Sequence, residues 1–246
     1  MHAHPPRRRA ARRAASLALC VLVAALACEG GERGRPARGA AAEDYFPLVE
    51  GAVWVYEVRT AAGSLQVEVK ARGEMDLPGG RGRVFVMEER NLGPSLGFVQ
   101  TAPVGYLVRE GYLDRLTGLD FDSAGKLRLL GTEDAAHLLP LDPVPGRTWS
   151  QTTRLFEMPE GGGGQLGWSG TVRTRTRIEV PAGAFDDVAE VEIVYQDASP
   201  SGPGDRVVYQ DYYARGVGLV RSVTVDPSGD QSHTVEQVLR SYRFPR

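Results

Sequence analysis

Apolar and polar residues alternate with a period of two along most of the chain after residue 44. In residues 171–180, alternate positions carry Val172, Thr174, Thr176, Ile178 and Val180, and the positions between them carry arginine and glutamate. Such alternation is typical of a β-strand with one buried and one solvated face. Similar patterns occur in residues 52–59, 65–70, 83–87, 188–195, 206–213 and 219–225. The sequence therefore predicts a protein built mainly from strands.

Turn signals separate these segments. Residues 60–63, 122–125 and 226–229 each place glycine fourth, where a type I turn needs a left-handed residue before the next strand. Because tight hairpins join neighbouring strands antiparallel, the pattern predicts an all-β fold, an antiparallel curved sheet that is half-barrel or barrel-like, or a sandwich. At most one or two short helices are expected, and residues 132–139, before Pro140, are the best helical candidate.

A weak internal repeat accompanies the strands. Residues 47–58 and 140–155 share a Pro-Leu start and a glycine three residues before a tryptophan, which gives Gly51 with Trp54 and Gly146 with Trp149. In each copy, glycine would make a turn and tryptophan would enter the core as the strand begins. A duplicated half-domain and two independent strand entries explain the repeat equally well.

The first 27 residues have the order of an export signal. Five arginines precede a twelve-residue apolar run, residues 16–27, and no acidic residue is present. This run is shorter than the roughly 20 residues that span a bilayer as a helix. We therefore expect residues 1–27 to be a cleaved signal peptide. Arg12 and Arg13 also resemble a twin-arginine signal, although general secretion is the expected route.

The end of this segment, Ala25-Leu26-Ala27-Cys28, resembles a bacterial lipobox, in which the cysteine is acylated before cleavage. We expect cleavage between Ala27 and Cys28 and lipid attachment at Cys28. After cleavage Cys28 would be the one remaining cysteine, and acylation would remove a lone thiol from an oxidising compartment. The alternative is an ordinary secretory signal cut near Ala27, with Cys28 incidental.

Charge and composition divide the rest of the chain. After residue 27 there remain 24 basic and 31 acidic residues, a formal charge of −7. An acidic surface without a basic stripe argues against nucleic acid as a partner and leaves membrane contact to the acyl chains. Residues 28–44 are rich in glycine, alanine and charge, so we expect a flexible tether with a span of about 20 Å. Residues 45–246 are then expected to form a single β-rich domain.

Candidate catalytic and metal-binding residues are sparse. His137 and His233 are isolated in sequence, and we expect neither a metal site nor a cofactor. Asp120, Asp122 and Gly125 resemble the start of a calcium loop but lack its later ligands, so a hairpin turn is the better interpretation. Adjacent strand residues face opposite sides, so neither acidic pair, at residues 88–89 or 186–187, sets two carboxylates around one bond, and both pairs are expected to be solvated. No nucleophile elbow or phosphate loop is present, and residues 161–164 are interpreted as a glycine loop.

Aromatic residues on the predicted strands are the remaining functional signal. Such residues most often fill a core, but they can also line an apolar pocket inside a curved sheet. The expected pocket residues are Trp54, Tyr56, Trp149 and Tyr212.

Three segments carry a resemblance to a known group of proteins: residues 44–58, residues 180–195, and residues 211–223 with the closing strand 235–244. In this order they resemble a loose family of uncharacterised bacterial envelope lipoproteins. The resemblance implies a β-rich domain similar in outline to the curved half-barrels of periplasmic lipoprotein carriers, and it implies no catalytic residues. Within these segments, Pro181 and Gly183 predict a turn between two long strands, and Gly216 and Gly218 allow a bend or bulge after Tyr212 and Tyr213.

The leading functional hypothesis is a non-enzymatic envelope lipoprotein that binds an apolar ligand or lipid in its curved sheet. Some lipoproteins of enterobacteria carry, directly after the lipidated cysteine, an aspartate that retains them in the inner membrane. This chain has Glu29 at that position, so its expected location is the outer membrane, facing the periplasm. The alternative is a structural or protein–protein interaction module with an envelope protein as partner. A third hypothesis is a hydrolase assembled from distant strands, which would need His137 or His233 in a cleft within hydrogen-bond reach of a carboxylate.

Overall fold

The computed structural model describes residues 45–93, 103–116, 119–129, 135–154, 165–197, 206–226 and 233–246. The predicted signal peptide, Cys28, the predicted tether and residues 161–164, interpreted as a glycine loop, lie outside these residues. The first seven strands are β1 (Val53–Thr60), β2 (Gly63–Asp76), β3 (Arg83–Asn91), β4 (Pro103–Arg109), β5 (Tyr112–Leu116), β6 (Leu119–Phe121) and β7 (Leu127–Leu129). They are followed by β8 (Ala136–Pro140), β9 (Thr148–Arg154), β10 (Gln165–Val180), β11 (Gly183–Asp197), β12 (Arg206–Ala214), β13 (Gly218–Asp226) and β14 (His233–Arg243).

Twelve of these strands form one antiparallel sheet in the order β8-β5-β4-β3-β2-β1-β14-β13-β12-β11-β10-β9. The sheet curls into a nearly closed barrel, so that its two terminal strands, β8 and β9, come together. The remaining strands, β6 and β7, form a separate hairpin. The predicted all-β, barrel-like architecture is confirmed.

The predicted alternation holds well on β2, where Leu65, Val67, Val69 and Ala71 are buried and the residues between them are largely exposed. It holds less well on β10, where the pairing with β11 shifts register between Val172 and Thr174 and again between Thr176 and Ile178. A bulge moves the following side chains to the opposite face. The side chains from Val172 to Val180 therefore do not all share the one face predicted from the sequence.

The turn predictions are confirmed where the residues are described. The β1–β2 hairpin turns at Gly63, and the β6–β7 hairpin turns at Gly125 with a φ of 75°. In the second turn the Asp122 carboxylate accepts hydrogen bonds from the backbone N–H groups of Ala124 and Lys126, so this loop is a hairpin. Pro181 and Gly183 make the turn between β10 and β11. Residues 227–229 of the third predicted turn lie outside the described residues.

The predicted helix at residues 132–139 is wrong in its described part. Residues 136–139 belong to strand β8, which pairs antiparallel with β5. The local sequence has helical spacing, but pairing with β5 supplies backbone hydrogen bonds and buries Leu138 and Leu139 in the barrel core. Residues 132–134 lie outside the described part of the chain.

Two hydrophobic clusters stabilise the fold. The main cluster fills the barrel and draws side chains from both halves of the sheet, including Trp54, Tyr56, Tyr106 and Tyr213. A smaller cluster, with Val84, Val86, Leu116 and Leu119 among its members, lies between β3–β5 and the β6–β7 hairpin. The hairpin therefore covers part of the outer wall of the barrel. Within the described residues, no helix has the length and apolar character needed to cross a membrane.

Candidate functional site

A row of polar side chains crosses the inner wall of the barrel. Asp211 on β12 lies opposite Ser222 on β13, which in turn lies opposite Gln237 on β14. Their relative exposures are 3%, 5% and 1%, so all three are buried among the apolar residues of the core. We call these three residues the polar row.

Asp211 is the ionisable member of the polar row. Its carboxylate accepts a hydrogen bond of 2.6 Å from the Ser222 hydroxyl and one of 2.9 Å from the Tyr213 hydroxyl. Burial raises the pKa of Asp211 to about 6, although these two bonds and the nearby Arg115 limit the rise. Both amide atoms of Gln237 are buried without a hydrogen-bond partner among the described residues. Buried polar groups normally have hydrogen-bond partners, so the side-chain amide of Gln237 is a candidate contact for a polar group of a ligand.

The opposite wall contributes further polar side chains. Arg115 on β5 is buried, hydrogen-bonds Tyr195 and influences the pKa of both Asp211 and Tyr106. Glu89 on β3 is 5% exposed and contributes to the raised pKa of Tyr106, for which burial is the largest cause. The expectation that both members of the acidic pair 88–89 are solvated is therefore wrong for Glu89. Glu89 has the same phase on β3 as Phe85 and Met87, which belong to the main cluster, so its side chain faces the core.

The line where β8 meets β9, here called the seam, is closed by side chains. The indole N–H groups of Trp149 and Trp168 donate to the backbone carbonyl of His137, over 2.9 and 2.7 Å. The Gln151 amide accepts from the backbone N–H of His137 and donates to the carbonyl of Ala135. Among the described residues, β8 and β9 share no backbone ladder. The barrel is thus completed by these side-chain bonds.

An Asp–His pair lies beside the seam. The Nδ1 atom of His137 lies 2.5 Å from the carboxylate of Asp114, which is fully buried and also binds Arg109. The imidazole stacks on Tyr112 with ring centroids 4.3 Å apart. The hydrolase hypothesis requires a histidine that lies in a cleft and is within hydrogen-bond reach of a carboxylate. His137 meets the second requirement. Within the described residues, no serine, threonine or cysteine is hydrogen-bonded to His137, and no cluster of three or more metal-ligating residues is found.

The first described residues enter the barrel. Phe46 is 1% exposed, and its ring centroid lies 4.7 Å from that of Tyr106 and 6.3 Å from that of Tyr213. Tyr45 lies between the guanidinium groups of Arg175 and Arg215, at 4.5 and 4.8 Å from its ring centroid. Arg215 also donates a hydrogen bond to the Tyr45 hydroxyl. Residues 45–49, here called the plug, therefore occupy interior space next to the polar row.

Asp187 fixes the two arginines that hold Tyr45. It pairs with Arg175 and Arg215 at 2.7 Å each. Partial burial acts to raise the pKa of Asp187, but the hydrogen bonds from Arg215 and Arg175 outweigh it and hold this pKa below its ordinary value. The acidic pair at 186–187 is thus exposed, as expected, and each member pairs with arginine.

The four predicted pocket aromatics lie in three different environments. Trp54 and Tyr56 are buried, and they donate hydrogen bonds to the backbone carbonyls of Val217 and Leu219. Trp149 lies at the seam, where its ring packs on Gly170. Tyr212 is half-buried and packs against the main cluster, with Arg221 over its ring. The first three are therefore buried, and Tyr212 is only partly buried.

Two grooves lie on the outer wall among the described residues. One, of about 320 Å³, is lined by Glu57, Gln66 and Arg240 with neighbouring residues. The other, of about 420 Å³, runs between β2–β3 and the β6–β7 hairpin and is lined mainly by charged residues. Most of these charges are paired across strands, as in Arg90 with Glu68. Neither groove includes His137 or the polar row.

The polar row was missed by the sequence analysis, although a signal for it exists. On β12, Asp211 has the same phase as the inward-facing Val207, Tyr209 and Tyr213. On β14, Gln237 likewise lies between Val235 and Leu239. A polar residue at a buried position of the alternation lowers stability unless it has hydrogen-bond partners. Such a position is therefore a candidate functional position in a sequence.

Comparisons with known proteins concern the fold. No protein-family model matches the sequence, and no curated protein matches it. Among solved structures, a candidate lipoprotein from Parabacteroides distasonis ATCC 8503 aligns with a TM-score of 0.51 and 19% identity, covering 81% of this chain and 98% of that chain. A candidate exported protein with a YmcC-like fold from Bacteroides fragilis NCTC 9343 aligns with a TM-score of 0.42 and 15% identity, with the same coverages. The first likeness shows that this barrel-like fold occurs in a solved protein of nearly the same extent.

Proposed function

We propose that this chain is a non-enzymatic lipoprotein of the bacterial cell envelope, anchored by acyl chains on Cys28, whose barrel binds a small apolar or amphiphilic ligand. The anchor is supported by the signal-like residues 1–27 and the lipobox-like segment before Cys28. The composition of residues 28–44, which are rich in glycine, alanine and charge, supports a tether between the anchor and the domain. The Parabacteroides protein with the similar fold is itself a candidate lipoprotein.

The observation that carries the binding proposal is the polar row within an apolar barrel. A barrel that served only as a scaffold would be more stable with apolar side chains at these positions, because burying a carboxyl and an amide costs free energy. Asp211, with its raised pKa, and the unpartnered amide of Gln237 instead provide polar contacts inside an apolar enclosure. An enclosure with a few placed polar groups is the usual form of a small-molecule site.

Native mass spectrometry of the full chain tests this proposal. The Cys28→Ala variant, exported and purified without detergent from a bacterial periplasm, removes the acyl chains that would confuse the measurement. We expect a reproducible additional mass that organic solvent extracts. A clean protein mass in repeated preparations, together with no binding of added lipid extracts, would overturn the binding proposal.

We place the protein at the outer membrane, facing the periplasm, on the basis of Glu29 after Cys28. Separation of the two membranes on a density gradient tests the location, since recovery with the inner membrane would contradict it.

The Asp114–His137 pair is the feature closest to hydrolase chemistry. Its imidazole is 15% exposed and stacked on Tyr112, so we assign the pair to holding β8 against β5.

A further inference from the structure

We propose that the ligand binds in the interior space that Phe46 occupies, with its apolar part against Tyr106 and Tyr213 and a neutral polar head group on the polar row. This inference rests on the proposed binding function and names its site and ligand class. The plug is then a resident occupant that the ligand displaces.

The position of Phe46 supports this site. Its ring lies against Tyr106 and Tyr213, and the hydroxyl of Tyr213 is bonded to Asp211 of the polar row. An apolar group in the place of Phe46 would therefore lie beside polar side chains that can hold a head group. Aromatic walls of this kind suit an acyl chain or a ring.

The plug is held mainly by its side chains. Residues 45–48 make no backbone hydrogen bond to any other described residue, and the carbonyl of Val49 only closes a turn with the N–H of Ala52. Tyr45 is held by Arg175 and Arg215, and Pro47 lies beside Gly218. Displacing the plug therefore breaks side-chain contacts and leaves every strand ladder intact. Segments with few backbone bonds open at the lowest cost in free energy.

Gln237 indicates the chemistry of the head group. Gln237 is 1% exposed, and both its amide donor and its amide acceptor lack partners among the described residues. A group with both a donor and an acceptor, such as a hydroxyl or a primary amide, satisfies the two atoms together. An anionic head group would instead face the carboxyl of Asp211, two strands away in the same row. The site therefore fits a neutral amphiphile.

Calorimetric titration with 1-monolauroylglycerol, below the concentration at which it forms micelles, tests the site. The parent protein is the full chain carrying Cys28→Ala. Adding Phe46→Ala should tighten binding at least tenfold, because the plug no longer competes for the space. The matched control, Phe185→Ala, removes a partly buried ring that packs near Tyr242, and it should leave the affinity unchanged. Adding Gln237→Leu to Phe46→Ala should weaken binding at least tenfold.

A second variant loosens the plug without opening the core. Replacing Arg175 and Arg215 together by glutamine removes the two guanidinium groups around Tyr45 and should also tighten binding. If Phe46→Ala does not fold, this pair decides the question. Unchanged affinity in the folded variants overturns the site. An additional mass on the parent protein alongside unchanged affinities leaves the proposed function standing without this site, whereas a clean mass with no binding in any variant rejects both.

Discussion

At the scale of single residues, Asp211 makes stability depend on pH. Its pKa is about 6 in the folded protein and 3.8 as an ordinary carboxyl. Between pH 4 and pH 6 the folded state therefore holds a proton that the unfolded state has lost, so the free energy of unfolding falls as pH rises. A shift of about two units corresponds to roughly 3 kcal/mol, all of it lost above pH 6.

The variant Asp211→Asn tests this dependence. Asparagine keeps an acceptor and a donor for Ser222 and Tyr213 but does not titrate. Urea denaturation at several pH values should show the variant gaining stability relative to the wild type as pH rises from 4 to 7. Asp186→Asn, at an exposed ion pair with Arg177, is the control and should shift stability by less than about 1 kcal/mol. A constant difference between wild type and Asp211→Asn across this range would contradict the buried-carboxyl interpretation.

Gly170 is a residue whose identity is set by packing. The ring of Trp149 lies where a Cβ atom on Gly170 would be, so any side chain must push the indole away from the seam. We expect Gly170→Ala to lower the free energy of unfolding by about 1–3 kcal/mol, as overpacking of a core does. Gly93→Ala meets nothing within 4 Å and should stay within about 0.5 kcal/mol of the wild type. Equal stability of the two variants would show that the seam tolerates a displaced tryptophan.

At the scale of elements, strand β8 depends on two kinds of contact. It pairs with β5 through a backbone ladder, and among the described residues it is hydrogen-bonded by the side chains of Trp149 and Gln151 on β9 and of Trp168 on β10. A ladder distributes its stability over many bonds, whereas the seam relies on four. We therefore expect the seam to open at a lower cost than any ladder of the barrel.

Replacing Trp168 by phenylalanine removes one donor to the carbonyl of His137 and keeps most of the apolar surface. The expected cost is about 1 kcal/mol from the lost hydrogen bond. Hydrogen exchange should accelerate at the amides of β8 and β9 while the amides of β1 and β14 remain protected. Acceleration spread evenly over the whole sheet would mean that the seam is not an independent unit.

At the scale of the whole molecule, the proposed anchor and the barrel make separate contributions. Replacing Cys28 by alanine should move the protein from the membrane fraction to the soluble fraction and abolish labelling by a fatty-acid analogue. The circular dichroism of the β-rich domain should not change, because Cys28 lies outside the described barrel. Retained labelling in this variant would exclude acylation at Cys28.

How far the sequence predicts this fold depends on the distance between interacting residues. The strands and the turns at residues 60–63, 122–125 and 181–183 follow from neighbours two to four positions apart, and they were predicted. The two bulges of β10 were not, because they arise where β10 adjusts to β11. Strand β8 was assigned as a helix, because what makes it a strand is pairing with β5, about 25 positions earlier in the chain.

The sequence by itself determined the all-β class, the antiparallel hairpins and the absence of a compact catalytic motif, because each of these depends on local periodicity and turn chemistry. Only the tertiary structure decided that β8 meets β9, that Asp114 lies beside His137, and that Asp211, Ser222 and Gln237 form one buried row. These contacts join residues from different strands, and their positions are fixed when the sheet curls and buries its inner wall. Curvature and closure are properties of the whole sheet, so no single segment specifies the site that they create.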